Sequence, residues 1–293
     1  MRAPEFEAYI RPARLYPQIW RLLLGILLIG FIYFAFFALM LVVLYPVIGA
    51  EGYFGFLEKL RAPSEPAPTL FALLSFVGMA LGVVLAAAAC HFRGPGSLFG
   101  PWPDVRRDFL VSVGALIPVY AIVTAGSWLF SAPELNLPLG LWLRCLPLAL
   151  VLLLVQISAE EMLFRGYLQQ QLAARFTARW IWMGLPAVLF ASLHWNPEAG
   201  LNAWMIIAVT LAFALIAADL TEQTGSLGAA MGLHFINNSV SLLFLSTQGT
   251  ITGLSLYVTP YTVSDAGPVP LDMVLNLLMM VLIWRLLRFV LLR

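Results

Sequence analysis

"LVQISAEEMLFRGYLQ", residues 154–169, closes an almost unbroken apolar run with two adjacent carboxylates, Glu160 and Glu161. A helix needs about 20 mostly apolar residues to cross the hydrocarbon of a bilayer, and Leu139 to Glu161 supplies them. An ionisable group at mid-membrane costs about 2.5 to 3.5 kcal/mol on insertion scales, so a chain that keeps two of them there needs a partner or a function. Residues four apart share a helix face. Glu161 can therefore pair with Arg165 along one stripe, while Glu160 points about 100° away. One acid is neutralised and the other stays available. From this stretch alone, a solvated end of a span explains the pair equally well.

Outward from this stretch, the whole chain reads as a membrane protein. Its 293 residues are 61% hydrophobic and only 11% charged, against about 25% charged in an ordinary soluble domain. Mean hydropathy is +0.91. A net charge of +1 argues against nucleic acid as a partner. Cys90 and Cys145 lie in apolar segments and suggest no disulfide framework.

Eight candidate spans follow: Leu22 to Tyr45, Thr69 to Cys90, Phe109 to Phe130, Leu139 to Glu161, Trp180 to Trp195, Leu201 to Leu220, Leu227 to Ser246 and Leu271 to Leu292. The fold expected is an all-α membrane protein, a single transmembrane bundle of about eight helices over residues 1–293. The first span is too long for a signal-peptide core and reads as retained. Arg and Lys accumulate in short cytoplasmic loops. In the eight-span arrangement all but Lys59, Arg61 and Arg144 of the 16 basic residues fall on one side. Both termini are accordingly expected in the cytoplasm, with the loops around residues 58–69 and 246–270 outside and the plasma membrane as the site.

Three further polar groups stand in apolar surroundings. In "FASLHW", Phe190 and His194 are one turn apart; in "HFINN", His234 and Asn238 share a face, with Asn237 near the same stripe; "GSL", Gly225 to Leu227, reads as a tight turn. Each has a bland reading, as an interfacial histidine or an interhelical hydrogen bond. Together, Glu160, His194, His234 and Asn238 on three helices supply a general base, a proton carrier or metal ligands, and a donor for a developing oxyanion. Counted along their helices at 1.5 Å per residue, Glu160 and His234 fall about 10 and 13 Å below the inner surface. His194, at about 22 Å, is too deep by about two turns unless its helix starts at the interface or bends near Pro186.

"EEMLFR", "FASLH" and "HFINN" match EExxxR, FxxxH and HxxxN in order, and over about residues 140 to 245 the chain resembles the CPBP family, the CAAX-protease and bacteriocin-processing group of intramembrane endopeptidases. The resemblance implies that Glu160 activates the attacking water with His194 assisting. It puts His234 and Asn238 across the cavity, polarising the carbonyl and stabilising the oxyanion. Glu161, Arg165 and Phe190 would support them. It admits either one Zn2+ held by Glu160, His194 and His234, the three-ligand open site of catalytic zinc, or a glutamate mechanism without metal. The substrate implied is a membrane protein or a lipidated peptide. Other intramembrane proteases lack their motifs here: there is no HExxH, no GxGD around Asp219 and no GxSG serine. The competing classes are an ion-coupled transporter, since intramembrane Glu and His also mark ion pathways, and a non-catalytic scaffold or immunity-type membrane protein.

Overall fold

A computed structural model describes residues 2–265 and 269–292. A short helix α1 (Pro4–Ile10) and a 3-10 turn (Arg11–Leu15) lead into α2 (Ile19–Lys59), followed by α3 (Pro66–His91), the one-turn α4 (Gly96–Phe99) and α5 (Trp102–Ser131). Strand β1 (Glu134–Leu135) precedes α6 (Leu139–Glu161), which runs on through a π-helical stretch (Met162–Gln169) into α7 (Gln170–Arg175). A second π-helical stretch (Trp180–Gly184) opens α8 (Leu185–Ser192). Then come α9 (Asn202–Thr224), α10 (Gly228–Asn238) with a π-helical continuation (Ser239–Phe244), β2 (Leu245–Gln248), β3 (Tyr257–Thr262) and α11 (Val269–Leu291).

Five of these helical segments are long and apolar enough to cross a membrane: Ile19–Lys59, Pro66–His91, Trp102–Gly126, Leu139–Arg175 and Asn202–Thr224. This is an all-α membrane protein, as the composition requires. The other three expected spans correspond to the apolar helix Trp180–Ser192, to α10 with its continuation, and to α11. At 1.5 Å per residue the first of these reaches only about 20 Å, short of the roughly 30 Å of hydrocarbon. In α2, Pro46 and the left-handed backbone of Gly49 (φ 70°) break the helix just past Tyr45, the expected end of the first span.

Two ends of the bundle differ. At one, Phe6 of α1 is buried against Trp182 (ring centroids 5.0 Å) and Tyr9 donates to the Leu98 carbonyl (2.5 Å). Arg179 and Arg288 meet there on Asp219 at 2.9 and 3.3 Å, so the first helix and the last turns of α11 share that end. At the other end the segments read as loops form a three-stranded sheet, ordered β1-β3-β2, with β1 antiparallel and β2 parallel to β3. Residues 266–268 of the expected outer loop lie outside the described residues. Asn136 Nδ2 pins this sheet by donating to the carbonyls of Thr252 and Ser255, both at 2.9 Å.

The centre of the bundle is α10, buried along Gly228 to His234. Its approach to α5 needs glycine. A Cβ on Gly228 would lie 2.2 Å from the Val105 carbonyl oxygen, and one on Gly232 would lie 2.9 Å from that of Phe109. Small residues allow backbones in membranes to approach this closely. The turn before α10 is fixed by the same neighbour, Ser226 Oγ donating to Asp108 Oδ2 (2.7 Å) while accepting from the Gly228 N–H (3.2 Å). Forcing a methyl into so tight a contact costs about 1 to 3 kcal/mol. Gly228→Ala is therefore expected to lower Tm in detergent, while Gly114→Ala, with open space around its position on α5, leaves it unchanged.

Candidate functional site

Helical geometry brings Glu161 and Arg165 together as the spacing demands. Arg165 Nη1 lies 3.0 Å from Glu161 Oε1, with the two side chains 2% and 0% exposed. A buried ion pair is tolerable only when its remaining donors and acceptors are met. Arg165 Nη2 donates to the Ala214 carbonyl (3.2 Å), and its guanidinium lies over the Phe190 ring at 4.8 Å. One turn on, Gln169 Nε2 donates to the Ala218 carbonyl (3.0 Å), a second rung of the same ladder between the π-helical stretch and α9. Sequence reasoning misses Gln169, although it continues the stripe of Glu161 and Arg165.

The third partner of this acid comes from α10. His234 Nδ1 lies 2.7 Å from Glu161 Oε1. A carboxylate only accepts, so Nδ1 carries the hydrogen and Nε2 is turned away from Glu161. It faces Glu160, whose Oε2 stands 3.5 Å off. Glu160 Oε2 is buried without a hydrogen-bond partner. Glu161 Oε2 is likewise buried without a hydrogen-bond partner, so the two acids differ in the other oxygen: Glu161 Oε1 is held by Arg165 and His234, while Glu160 makes no hydrogen bond among the described residues. Phe213 (5.1 Å) and Phe190 (6.0 Å) wall the imidazole edge-on.

Asn238, one turn beyond His234, donates through Nδ2 to Gln156 Oε1 (3.1 Å) and accepts from Asn237 Nδ2 (3.1 Å). Tyr120 of α5 in turn donates to Asn237 Oδ1 (3.0 Å). Neither Gln156 nor Tyr120 is among the residues the sequence points to. Gln156 does carry a signal: it is the one carboxamide in the apolar run and stands four residues before Glu160.

His194 is placed differently from expectation. Helix α8 stops at Ser192, so His194 sits in the turn that follows, exposed, with Nδ1–H donated to the Phe190 carbonyl at 2.9 Å. Its ring packs on Phe190 (4.8 Å), which does lie beside it as expected and also contacts His234. Among the described residues His194 makes no ion pair or hydrogen bond to Glu160, Glu161 or His234. The zinc site of Glu160, His194 and His234 is therefore not assembled: no group of three or more His, Cys, Asp or Glu among the described residues is placed to hold a metal. Zinc needs donors at about 2.0 to 2.2 Å from one point; His234 Nε2 faces Glu160, whereas His194 is exposed in the turn after α8 with its ring packed on Phe190. The third histidine, His91, is buried away from the cluster, donating Nδ1–H to the Tyr16 carbonyl (3.0 Å) and accepting from Tyr167 (2.9 Å).

Comparison with known proteins falls on this same region. Residues 142–240 match the family model described as Type II CAAX prenyl endopeptidase Rce1-like. The match contains all three motifs, and it bears out the resemblance drawn from them. The chain is 33% identical over 126 residues to the uncharacterized protein YyaK of Bacillus subtilis, covering 42% of this chain and 41% of that one. It is 32% identical over 97 residues to the uncharacterized protein YpbD of the same organism, covering 33% and 45%. The alignments thus span less than half the length of these curated relatives. No solved structure matches.

Proposed function

We propose, from a segment that matches the CAAX prenyl endopeptidase family, that this protein is an intramembrane endopeptidase acting on a membrane-embedded or lipidated substrate. The observation that carries the reading is the unequal treatment of the two acids. Glu161 is engaged through Oε1 by Arg165 and His234, its Oε2 left without a partner, while Glu160 makes no hydrogen bond among the described residues and turns its buried Oε2 toward His234 Nε2. Glu160 takes a proton from a water held against that oxygen, and the hydroxide so formed attacks the scissile carbonyl carbon. The proton then passes to the amide nitrogen as the C–N bond breaks. His234, oriented through Nδ1–H on Glu161, faces the same space and shares the developing charge. Asn238 has a second N–H to offer the oxyanion. His194 is exposed and packs on Phe190, and its Nε2 makes no hydrogen bond among the described residues.

A groove of about 610 Å³ between α5 and α10, lined by Ile117, Tyr120, Thr124, Trp128, Ile236 and Phe244 among others, supports an apolar substrate portion. It reaches the cluster at Tyr120, the residue bonded to Asn237. The arginine-rich end, with both ends of the chain, is assigned to the cytoplasm, and the protein to the plasma membrane.

Cleavage of an S-farnesylated peptide by the purified protein in detergent, with products weighed by mass spectrometry, tests the reading. A single internal cut is expected. Addition of 1,10-phenanthroline is expected to leave the rate unchanged, because the donor set does not converge on a metal. A chelator-sensitive rate restored by zinc would overturn the metal-free mechanism, and a well-folded protein that cuts no membrane-anchored peptide would overturn the endopeptidase.

A further inference from the structure

The amides around α10 form a directed chain. Tyr120 donates to Asn237 Oδ1 (3.0 Å), Asn237 Nδ2 to Asn238 Oδ1 (3.1 Å), and Asn238 Nδ2 to Gln156 Oε1 (3.1 Å). A carboxamide has one oxygen and two N–H donors, and its ends exchange by rotation about the last side-chain bond. With its oxygen held by Asn237 and one N–H by Gln156, Asn238 has a fixed plane and one N–H to spare. Gln156, 6% exposed, lies one turn before Glu160 on the same face of α6, about 6 Å along the axis. The element that carries the bare carboxylate therefore also carries the anchor of an amide that belongs to another helix.

We propose, resting on the endopeptidase reading, that Gln156 is a positioning residue that aims the free N–H of Asn238. By tying Asn238 to α6 it sets the separation between the carboxylate that activates water and the donor that receives the oxyanion. Such donors act because they are already aimed when charge develops, and a misplacement of about 1 Å costs about 100-fold in rate. The ordinary alternative is a buried amide that merely satisfies its neighbours. The two differ in what happens once Asn238 is gone.

The full chain in detergent, with an S-farnesylated peptide as probe, separates them through Gln156→Met, Asn238→Ala, their double variant and Glu160→Gln. Gln156→Met is expected to lower kcat about 10- to 100-fold with KM within about twofold. The double variant is expected to be no slower than Asn238→Ala alone, since an aiming residue has no effect when its target is absent. Gln156→Asn, which keeps a carboxamide in the helix but shortens its reach, gives the same pattern and serves if the Met variant is not recovered folded. Losses that multiply in the double variant, or a raised KM with kcat intact, overturn the assignment of Gln156. Wild-type turnover in Glu160→Gln would instead remove Glu160 from the mechanism, and a well-folded wild type that cuts no such peptide would overturn the endopeptidase reading itself, so the failures are told apart.

Discussion

Glu160→Gln is expected to abolish cleavage while leaving the protein as stable as before, or more so. The substitution is isosteric and removes only the ability to take a proton, a contribution worth about 10²- to 10⁴-fold in rate. No hydrogen bond holds the charged form in place: Glu160 Oε2 has no hydrogen-bond partner, and the nearest basic atom facing it is His234 Nε2 at 3.5 Å. A charged oxygen buried without a hydrogen bond is unfavourable, so replacing the largely buried carboxylate with a neutral amide relieves a cost. Thermal melting of wild type and variant in the same detergent, alongside turnover of the farnesylated peptide, reads both halves. Glu161→Gln supplies the contrast. It leaves Arg165 without its carboxylate and is expected to lose stability together with activity. A Glu160→Gln protein with normal turnover would remove Glu160 from the mechanism, and one that fails to fold would show that the carboxylate is structural.

The parts of this site that sequence makes legible are those set by local periodicity. Glu161 and Arg165 pair because four residues make about one turn, and that reading needs no knowledge of the fold. His234 reaching both acids depends on α10 packing against α6 while its glycines let it close on α5; a one-dimensional pattern does not contain that arrangement. His194 is misplaced when the helical period is carried through "SLHWNP". Proline biases the residue before it toward extended backbone, and Asn196 does adopt φ −118°, ψ 104°. The helix ends before that point, at Ser192, and turns His194 outward. The sheet at the far end reads as loop because Ser, Thr, Gly and Pro dominate residues 246–270, yet Tyr257–Thr262 is rich in β-branched and aromatic residues suited to a strand. Its partner β1 is two residues long and over a hundred positions away, beyond any local signal.

Arg165→Ala is expected to cost more stability than any other single change at the site. The guanidinium is 2% exposed and holds Glu161, the Ala214 carbonyl and the face of Phe190. Its removal leaves a fully buried carboxylate with His234 as the remaining donor, an unpaired carbonyl and an empty space against an aromatic ring. Breaking one side of a buried ion pair costs about 3 to 5 kcal/mol, a large share of the 5 to 15 kcal/mol that folded proteins typically hold. Folded yield from membranes should fall steeply, with a lower Tm in what is recovered. Removing both charges tests whether the stranded acid is the cause. When Glu161→Gln is combined with Arg165→Met, neither position carries a charge, and the introduced amide oxygen still accepts from His234 Nδ1, so most of the yield should return. Turnover should not return, because the imidazole, which offsets charge developing at the attacked carbonyl in the proposed step, would then have no negative charge behind it. If Arg165→Ala folds and cleaves normally, the ion pair is dispensable; if the double variant is no better recovered than the single one, packing of the guanidinium rather than charge decides the loss.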